Sequence, residues 1–275
     1  MELSTHAKRI LTAAAVLVLP ALAVFYDGAL RLAGGWLVFS VLAAFCALGL
    51  WEFYAMFWPG PARRGLKIAG VILGALLLAA FRAGSVRLLA LVLLAAFWTA
   101  CLGFLFRFGR DPERTAFPEG LVFLAGLLYL PCAMQFFLVF SPAEMVLVLA
   151  AAAVSDTAAY YAGTLWGTAK IWPQVSPKKS WAGSIGGLAA CVAVTLAFGL
   201  VFGQAAWWAF LLLGALLNLA AQFGDFFESA LKRTLGIKDS GTILPGHGGI
   251  LDRIDSLLLV APTYGLAREI QPFFG

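Results

Sequence analysis

Charged residues and glycines concentrate near the C-terminal end of a chain that is otherwise strongly apolar. From Ser229 to Ser256 the sequence reads SALKRTLGIKDSGTILPGHGGILDRIDS. Carboxylates hold hard cations, Lys and Arg neutralise phosphate oxygens, and glycine-rich backbone presents N–H groups to anions. The chemistry that this combination suits is metal-assisted handling of phosphates.

A polar face leads into this segment from the N-terminal side. It consists of Asn218, Gln222, Asp225, Ser229 and Lys232, spaced four, three, four and three residues apart, which aligns them on one side of a helix. Such a face in an apolar helix must point at protein or at a water-filled cavity. For Asn218 and Gln222, hydrogen bonding between helices is as good an explanation as a functional role. Glu228 and Lys232 have the spacing of an ordinary i,i+4 ion pair.

Asp252, Asp255 and Ser256 have the i, i+3, i+4 spacing that predicts a shared face at the start of the last helix. Acidic groups in a first turn favour the helix dipole, so capping is one interpretation. Two carboxylates in one turn exceed what capping needs. With Asp225 alongside, they predict a site for one or two cations.

Two loops have the composition of anion sites. Gly246, Gly248 and Gly249 surround His247 and permit positive φ and close backbone approach to a ligand, although an ordinary tight loop fits too. Ser176-Pro177-Lys178-Lys179-Ser180 precedes another helix, which Ser180 could cap, leaving N–H groups and two lysines aimed at one anion. The lysines could equally be a membrane-topology signal.

The chain is 62% hydrophobic and 12% charged over 275 residues, about half the charge of a soluble domain. We predict an all-α polytopic membrane protein, a single integral membrane domain over 1–275, with N-terminal helices in 1–140 and catalytic helices and loops in 141–275. The apolar runs predict nine spans: about 10–26, 36–58, 66–81, 85–106, 117–140, 142–164, 182–203, 205–227 and 250–271. Asp156 in the sixth span and Glu52 in the second are acidic residues within apolar stretches. Asp156 is a candidate for cation binding or for pairing with Tyr160, and we interpret Glu52 as structural.

The basic residues predict the orientation. With the N-terminus in the cytoplasm and the C-terminus on the opposite side, 15 of the 19 Lys and Arg residues fall on the inner side and 4 on the outer side. This sorting predicts an inner (plasma) membrane protein with its site at the cytoplasmic face. The net charge of +5 fits that topology and contact with lipid headgroups, and gives no reason to expect nucleic acid.

The charged segment resembles the signature of the phosphatidate cytidylyltransferases (CDP-diacylglycerol synthases). The matching positions are Ser229, Leu231, Lys232, Arg233, Lys238, Asp239, His247, Gly248, Gly249, Asp252, Arg253 and Asp255. The resemblance continues in Ser155-Asp156-Thr157, in Ser176–Ser180 and from Gln222 to Ser229, and so covers roughly the C-terminal half. The family usually has Glu or Gln where this chain has Ala182.

The resemblance implies a nucleotidyltransferase of phospholipid biosynthesis, which joins CTP and phosphatidate to give CDP-diacylglycerol and pyrophosphate with the help of Mg²⁺, a second cation being open. It implies that Asp225 and Asp252 hold the metal, with Asp255 and Asp156 as further candidates. The catalytic set is Asp225, Asp252, Lys232, Arg233 and His247, and the substrate-binding set is Ser176, Lys178, Lys179, Ser229, Lys238, Gly246, Gly248, Gly249 and Arg253. We expect His247 to bind phosphate or to orient a carboxylate, because a phosphate monoester loses its second proton near about pH 6 and needs no base.

Alternatives from other classes remain at this point. A related lipid nucleotidyltransferase or CTP-dependent lipid kinase would use similar groups, but the completeness of the signature argues against both. A transporter could use Asp156 and the polar face as an ion path, but transporters tend to have internal repeats and sites near the midplane, and the sequence shows no repeat. A homodimer is left open.

Overall fold

A computed structural model describes residues 35–113, 115, 117–243 and 248–275. In these ranges the chain is mainly helical, and an isolated antiparallel bridge pairs Lys170 with Ser180. The chain divides into two compact units. The first runs to Leu138 and also includes Asp239–Asp252, and the second comprises Val139–Lys238 and Arg253–Gly275.

Within the described residues up to Leu138, the first unit has five helices and one 3₁₀ turn. They are α1 (Trp36–Phe57), α2 (Arg64–Arg82), α3 (Val86–Phe108), α4 (Pro118–Tyr129), α5 (Pro131–Met134) and the 3₁₀ turn Gln135–Leu138. Proline at the first position of α5 follows the end of α4, because proline lacks the N–H that would continue the helix. The predicted span 117–140 is therefore a broken helix.

Tyr54 of α1 fills the centre of the first unit. The side chain is fully buried, and its hydroxyl donates to the carbonyl O of Phe123 at 2.8 Å. Gly70 of α2 and Gly126 of α4 make this possible, since a Cβ at either position would lie within 2.3 Å and 2.8 Å of the ring. Two glycines thus allow three helices to close around one aromatic ring.

The second unit consists mainly of α6 (Pro142–Trp166), α7 (Trp181–Phe202), α8 (Trp207–Thr234) and α10 (Leu257–Ile270), while the short α9 (Leu251–Ile254) crosses the boundary between the units. Ser141 and Glu144 form a capping box at the start of α6. Small residues bring α6 and α7 together, because a Cβ on Gly183 would lie 2.7 Å from the carbonyl O of Ala159.

Seven helical segments in the described ranges are long and apolar enough to cross a membrane, with Pro118–Leu138 counted as one segment. They correspond to the second through eighth predicted spans, and the first, 10–26, lies outside the described residues. The ninth, 250–271, is wrong as a continuous helix, because the chain turns at Asp255 and Ser256. The remaining 14 residues of α10 rise only ~21 Å, less than the ~30 Å hydrocarbon core.

Candidate active site

The polar face of α8 has two halves with different partners. In the N-terminal half of this face, Asn218 accepts from the Ser155 hydroxyl at 2.8 Å, and Gln222 accepts from the Ser184 hydroxyl. These are interhelical bonds to α6 and α7, the structural role that the sequence left open for both residues. The predicted catalytic residues of this face therefore begin one turn further along, at Asp225.

Asp225 lies between a lysine and a serine. The Lys179 Nζ is 2.6 Å from Asp225 Oδ2, and the Ser229 hydroxyl donates to Oδ1 at 3.1 Å. The same lysine lies over the Phe226 ring, 4.5 Å from its centroid. The structure thus brings together three residues that the sequence assigned to the site from two separate motifs.

The loop of residues 170–180, which contains Lys178 and Lys179 and which we call the lysine loop, is closed at its base. The Lys170–Ser180 bridge closes it, and the Ser180 hydroxyl accepts the N–H of Gly183 at 3.3 Å, which confirms the predicted cap. Lys178 lies exposed beside the half-buried Ser176. The fixed base explains how a loop lysine can hold a defined position next to α8.

Two further aspartates belong to the same unit as Asp225. The Ser256 hydroxyl donates to Asp156 Oδ2 at 3.4 Å, so Asp156 pairs with this serine rather than with Tyr160. The Ser256 N–H donates to Asp255 Oδ1 at 2.7 Å, a local bond that competes with a continuous helix. The predicted shared helical face of Asp252, Asp255 and Ser256 is therefore wrong.

The carboxyl group of Asp255 is an electrostatic outlier. Burial, together with the neighbouring carboxylates of Asp225, Glu228 and Asp156, raises its pKa well above the usual range for an aspartate. Carboxyl groups are therefore crowded in this unit, and a bound cation would stabilise their ionised forms.

The remaining basic residues of the predicted site have separate environments. Lys232 pairs with Glu228, the i,i+4 alternative. Arg233 donates to the carbonyl O of Val175 at 3.3 Å, which ties α8 to the lysine loop. Lys238 and Arg253 are exposed.

Asp252 belongs to the first unit and has a different environment. Its Oδ2 accepts the backbone N–H of Ser240 at 3.0 Å and that of Gly249 at 2.8 Å. Gly248 has φ of 81°, the left-handed region, beside this carboxylate. Gly246 and His247 lie outside the described residues, and the convergence of Asp225 with Asp252 remains a prediction.

The sequence profile of the cytidylyltransferase family matches residues 7–270. This chain belongs to the cytidylyltransferase family. Similar proteins include the phosphatidate cytidylyltransferase of Thermotoga maritima, 40% identical over 171 residues, which covers 58% of this chain and 63% of that protein. The phosphatidate cytidylyltransferase of Staphylococcus saprophyticus is 45% identical over 114 residues, 41% of this chain and 44% of that protein. That of Brucella suis is 46% identical over 107 residues, 39% of this chain and 40% of that protein.

The donor chemistry of this cytidylyltransferase-family chain fits a hard cation. Asp225, Asp156 and Asp255 offer only oxygen ligands, the kind that Mg²⁺ prefers. Within the described ranges, no group of three or more His, Cys, Asp and Glu side chains is arranged to hold a metal alone. Because Mg²⁺ keeps waters and substrate phosphates in its shell, two carboxylates would suffice.

Three positions matter more than the sequence indicated. Gly224 lets α8 approach the turn after α9, since a Cβ there would lie 2.6 Å from the carbonyl O of Asp255. Glu52 and Gly241 contact each other in the first unit. The sequence did offer one signal for Glu52. An acidic residue within an apolar helix is by default a candidate functional residue, and we interpreted it as structural.

Proposed function

We propose that this protein is a CTP:phosphatidate cytidylyltransferase that makes CDP-diacylglycerol and pyrophosphate. The observation that carries the proposal is that two separate motifs of the family signature meet at Asp225. Its carboxylate lies 2.6 Å from the Nζ of Lys179, which belongs to one motif, and 3.1 Å from the hydroxyl of Ser229, which belongs to the other. The named relatives support the same reaction. The acyl chains of phosphatidate would remain in the bilayer while its headgroup reacts.

The reaction needs charge neutralisation and alignment rather than proton abstraction. An oxygen of the phosphatidate phosphate attacks the α-phosphorus of CTP, a new P–O bond forms, and the bond to the bridging oxygen breaks to release pyrophosphate. Lys178, Lys179 and Arg233 would bind phosphate oxygens, as would Lys232, Lys238 and Arg253. His247 would donate a hydrogen bond to phosphate, since the attacking group is already ionised.

We assign the metal to Asp225 and Asp252, with Asp255 and Asp156 as further candidates. Bound Mg²⁺ would supply charge stabilisation to the transferring phosphoryl group and to the leaving pyrophosphate. Lys179 now neutralises Asp225, and Ser229 holds its second oxygen in place. The lysine could therefore transfer to a substrate phosphate when a cation takes its position.

The decisive assay uses purified protein with phosphatidate, labelled CTP and Mg²⁺. Pyrophosphate and labelled CDP-diacylglycerol should form only when both substrates are present. A reaction without phosphatidate is the control. Formation of CDP together with a phosphorylated lipid would instead show a lipid kinase.

The orientation in the membrane is part of the proposal. We place the N-terminus and the site at the cytoplasmic face of the inner membrane, because 15 of the 19 basic residues then face inward. Single cysteines at the exposed positions Lys178 and Thr242, in a cysteine-free background, should react only from the cytoplasm. A cysteine at Gln204, beyond α7, should react from outside. Reaction of the Lys178 and Gln204 positions from one side would contradict this topology.

A further inference from the structure

Glu52 is a buried acidic residue in the apolar helix α1. Its exposed fraction is 2%. A carboxylate in such a helix is costly unless it is paired or does something that the fold requires. The reaction proposed above gives it no role.

The partners of Glu52 lie about two hundred residues away in the chain. Its Oε2 accepts the backbone N–H of Leu251 at 2.9 Å and the hydroxyl of Ser240 at 3.3 Å. Its Oε1 is buried and has no hydrogen-bond partner within the described ranges. Both donors belong to the described residues 239–243 and 248–252, which together we call the signature loop. Glu52 therefore attaches this loop to α1.

Two glycines of the signature loop allow this attachment. A Cβ on Gly241 would lie 2.5 Å from Glu52 Oε1, and one on Gly249 would lie 2.5 Å from Oε2. Real side chains do not approach so closely, so a larger residue at either position would displace the Glu52 carboxylate or the loop from this contact. Gly241 has no positive φ, and only the contact with Glu52 demands glycine there.

The same loop residues also hold Asp252. Ser240 gives its hydroxyl to Glu52 and its backbone N–H to Asp252, while Gly249 packs on Glu52 and donates its N–H to Asp252. The same two loop residues, Ser240 and Gly249, thus contact both carboxylates. A shift of that backbone away from Glu52 would rotate the donors that orient Asp252.

We propose that Glu52 is a positioning residue, which holds the signature loop against α1 and thereby fixes the carboxylate of Asp252. It acts through Ser240, Gly249 and Leu251 and does not itself touch substrate. The catalytic consequence rests on the proposed function, whereas the attachment of the loop does not.

Hydrogen exchange on the full-length protein in detergent tests the attachment directly. In Glu52→Ala and in Gly241→Ala, the amides of Ser240, Gly249 and Leu251 should exchange at least ~10-fold faster, because their fixed acceptors are lost or displaced. Gly65→Ala is the matched control, since nothing lies within 4 Å of a Cβ there. Glu144→Gln controls for removing another buried glutamate. Glu52→Gln keeps one acceptor oxygen and should restore much of the protection.

The rate as a function of Mg²⁺ concentration tests the catalytic consequence. Residues that orient a metal ligand typically change metal affinity or activity by ~10–100-fold, so half-saturating Mg²⁺ should rise by about that factor in Glu52→Ala. Glu52→Gln should lie close to the wild type. A role in general stability would not change this value selectively.

The outcomes separate the two proposals. Unchanged exchange at the three amides in both Glu52→Ala and Gly241→Ala would overturn the positioning role, as would an equal loss of protection throughout the chain. Faster exchange with an unchanged Mg²⁺ dependence would also overturn it. If the wild type makes no CDP-diacylglycerol, the proposed function fails, and the exchange measurement still decides whether Glu52 holds the loop.

Discussion

In the first unit, backbone N–H groups bind the carboxylate of Asp252 and, together with the Ser240 hydroxyl, that of Glu52. In the second unit the carboxylates of Asp225 and Asp156 are bound by side chains. Backbone donors are fixed by the fold around them. Lysine and serine side chains can rotate away and let another partner enter. The first arrangement suits a group that must keep its place, and the second suits a group that exchanges partners during a reaction.

This difference indicates how the two aspartates would share one task. We expect Asp252 to be oriented before substrate arrives, and Asp225 to exchange its lysine for a cation when CTP binds. Preorganised charge is effective because it needs no rearrangement as the transition state forms.

The largest expected effect comes from neutralising either aspartate. Asp225→Asn and Asp252→Asn should each lose at least ~10²-fold in rate, the scale of one lost electrostatic group in a transition state. The measurement is rate against Mg²⁺ concentration for each purified variant. Asp239→Asn, an exposed aspartate in the same loop, should lose much less. Near wild-type turnover with unchanged Mg²⁺ dependence in either of the first two variants would remove that residue from the metal site.

A smaller effect should follow from filling the space at Gly224. Gly224→Ala places a Cβ 2.6 Å from the carbonyl O of Asp255, and overpacking of this kind typically costs ~1–3 kcal/mol. Thermal or denaturant unfolding in detergent measures the loss. Gly65→Ala, also in a helix but with open space, should be neutral or slightly stabilising. Equal stability of the two variants would show that α8 and residues 255–256 are not held in close contact.

Removing the lysine partner of Asp225 sharpens the comparison further. Lys179→Gln should raise the CTP concentration for half-maximal rate by ~10-fold, about the value of one charge-assisted hydrogen bond. Lys170→Gln, which removes a lysine from the same loop, should change it little. If both variants behaved alike, the loop would contribute only general positive charge.

The smallest effect concerns pH. Because the folded pKa of Asp255 is raised, the folded protein binds this proton more tightly than the unfolded chain. Stability without Mg²⁺ should therefore fall as the pH rises from about 4 towards the raised pKa. Asp255→Asn should show a shallower fall, with Asp239→Asn as the control, as measured by thermal unfolding across that range. Identical slopes in wild type and Asp255→Asn would contradict the electrostatic picture of the second unit.

The sequence predicted the parts of this protein that depend on local pattern. Helical spacing located Asp225 and Ser229 on one face, and the Ser180 cap and seven of the spans followed from residue type and periodicity. The break at Asp255 and Ser256 was missed because it depends on the bond from the Ser256 N–H to Asp255, on the bond from the Ser256 hydroxyl to the distant Asp156, and on the close approach of Gly224. The role of Glu52 was missed because its partners lie 188 and 199 residues away, and one sequence carries no sign of such pairing.

Lys67 of α2 is one of the 15 basic residues that the predicted orientation places on the inner side, yet its side chain is buried in the folded protein. Its Nζ donates to the carbonyl O of Trp58 at 2.8 Å and of Gly60 at 2.7 Å, and the side chain is 1% exposed. The charge bias that orients a membrane protein acts on the chain during insertion, before these bonds form. The same ammonium group would thus first help to orient a helix during insertion and later stabilise the connection between α1 and α2. Lipid headgroups would therefore meet fewer positive charges than the sequence contains.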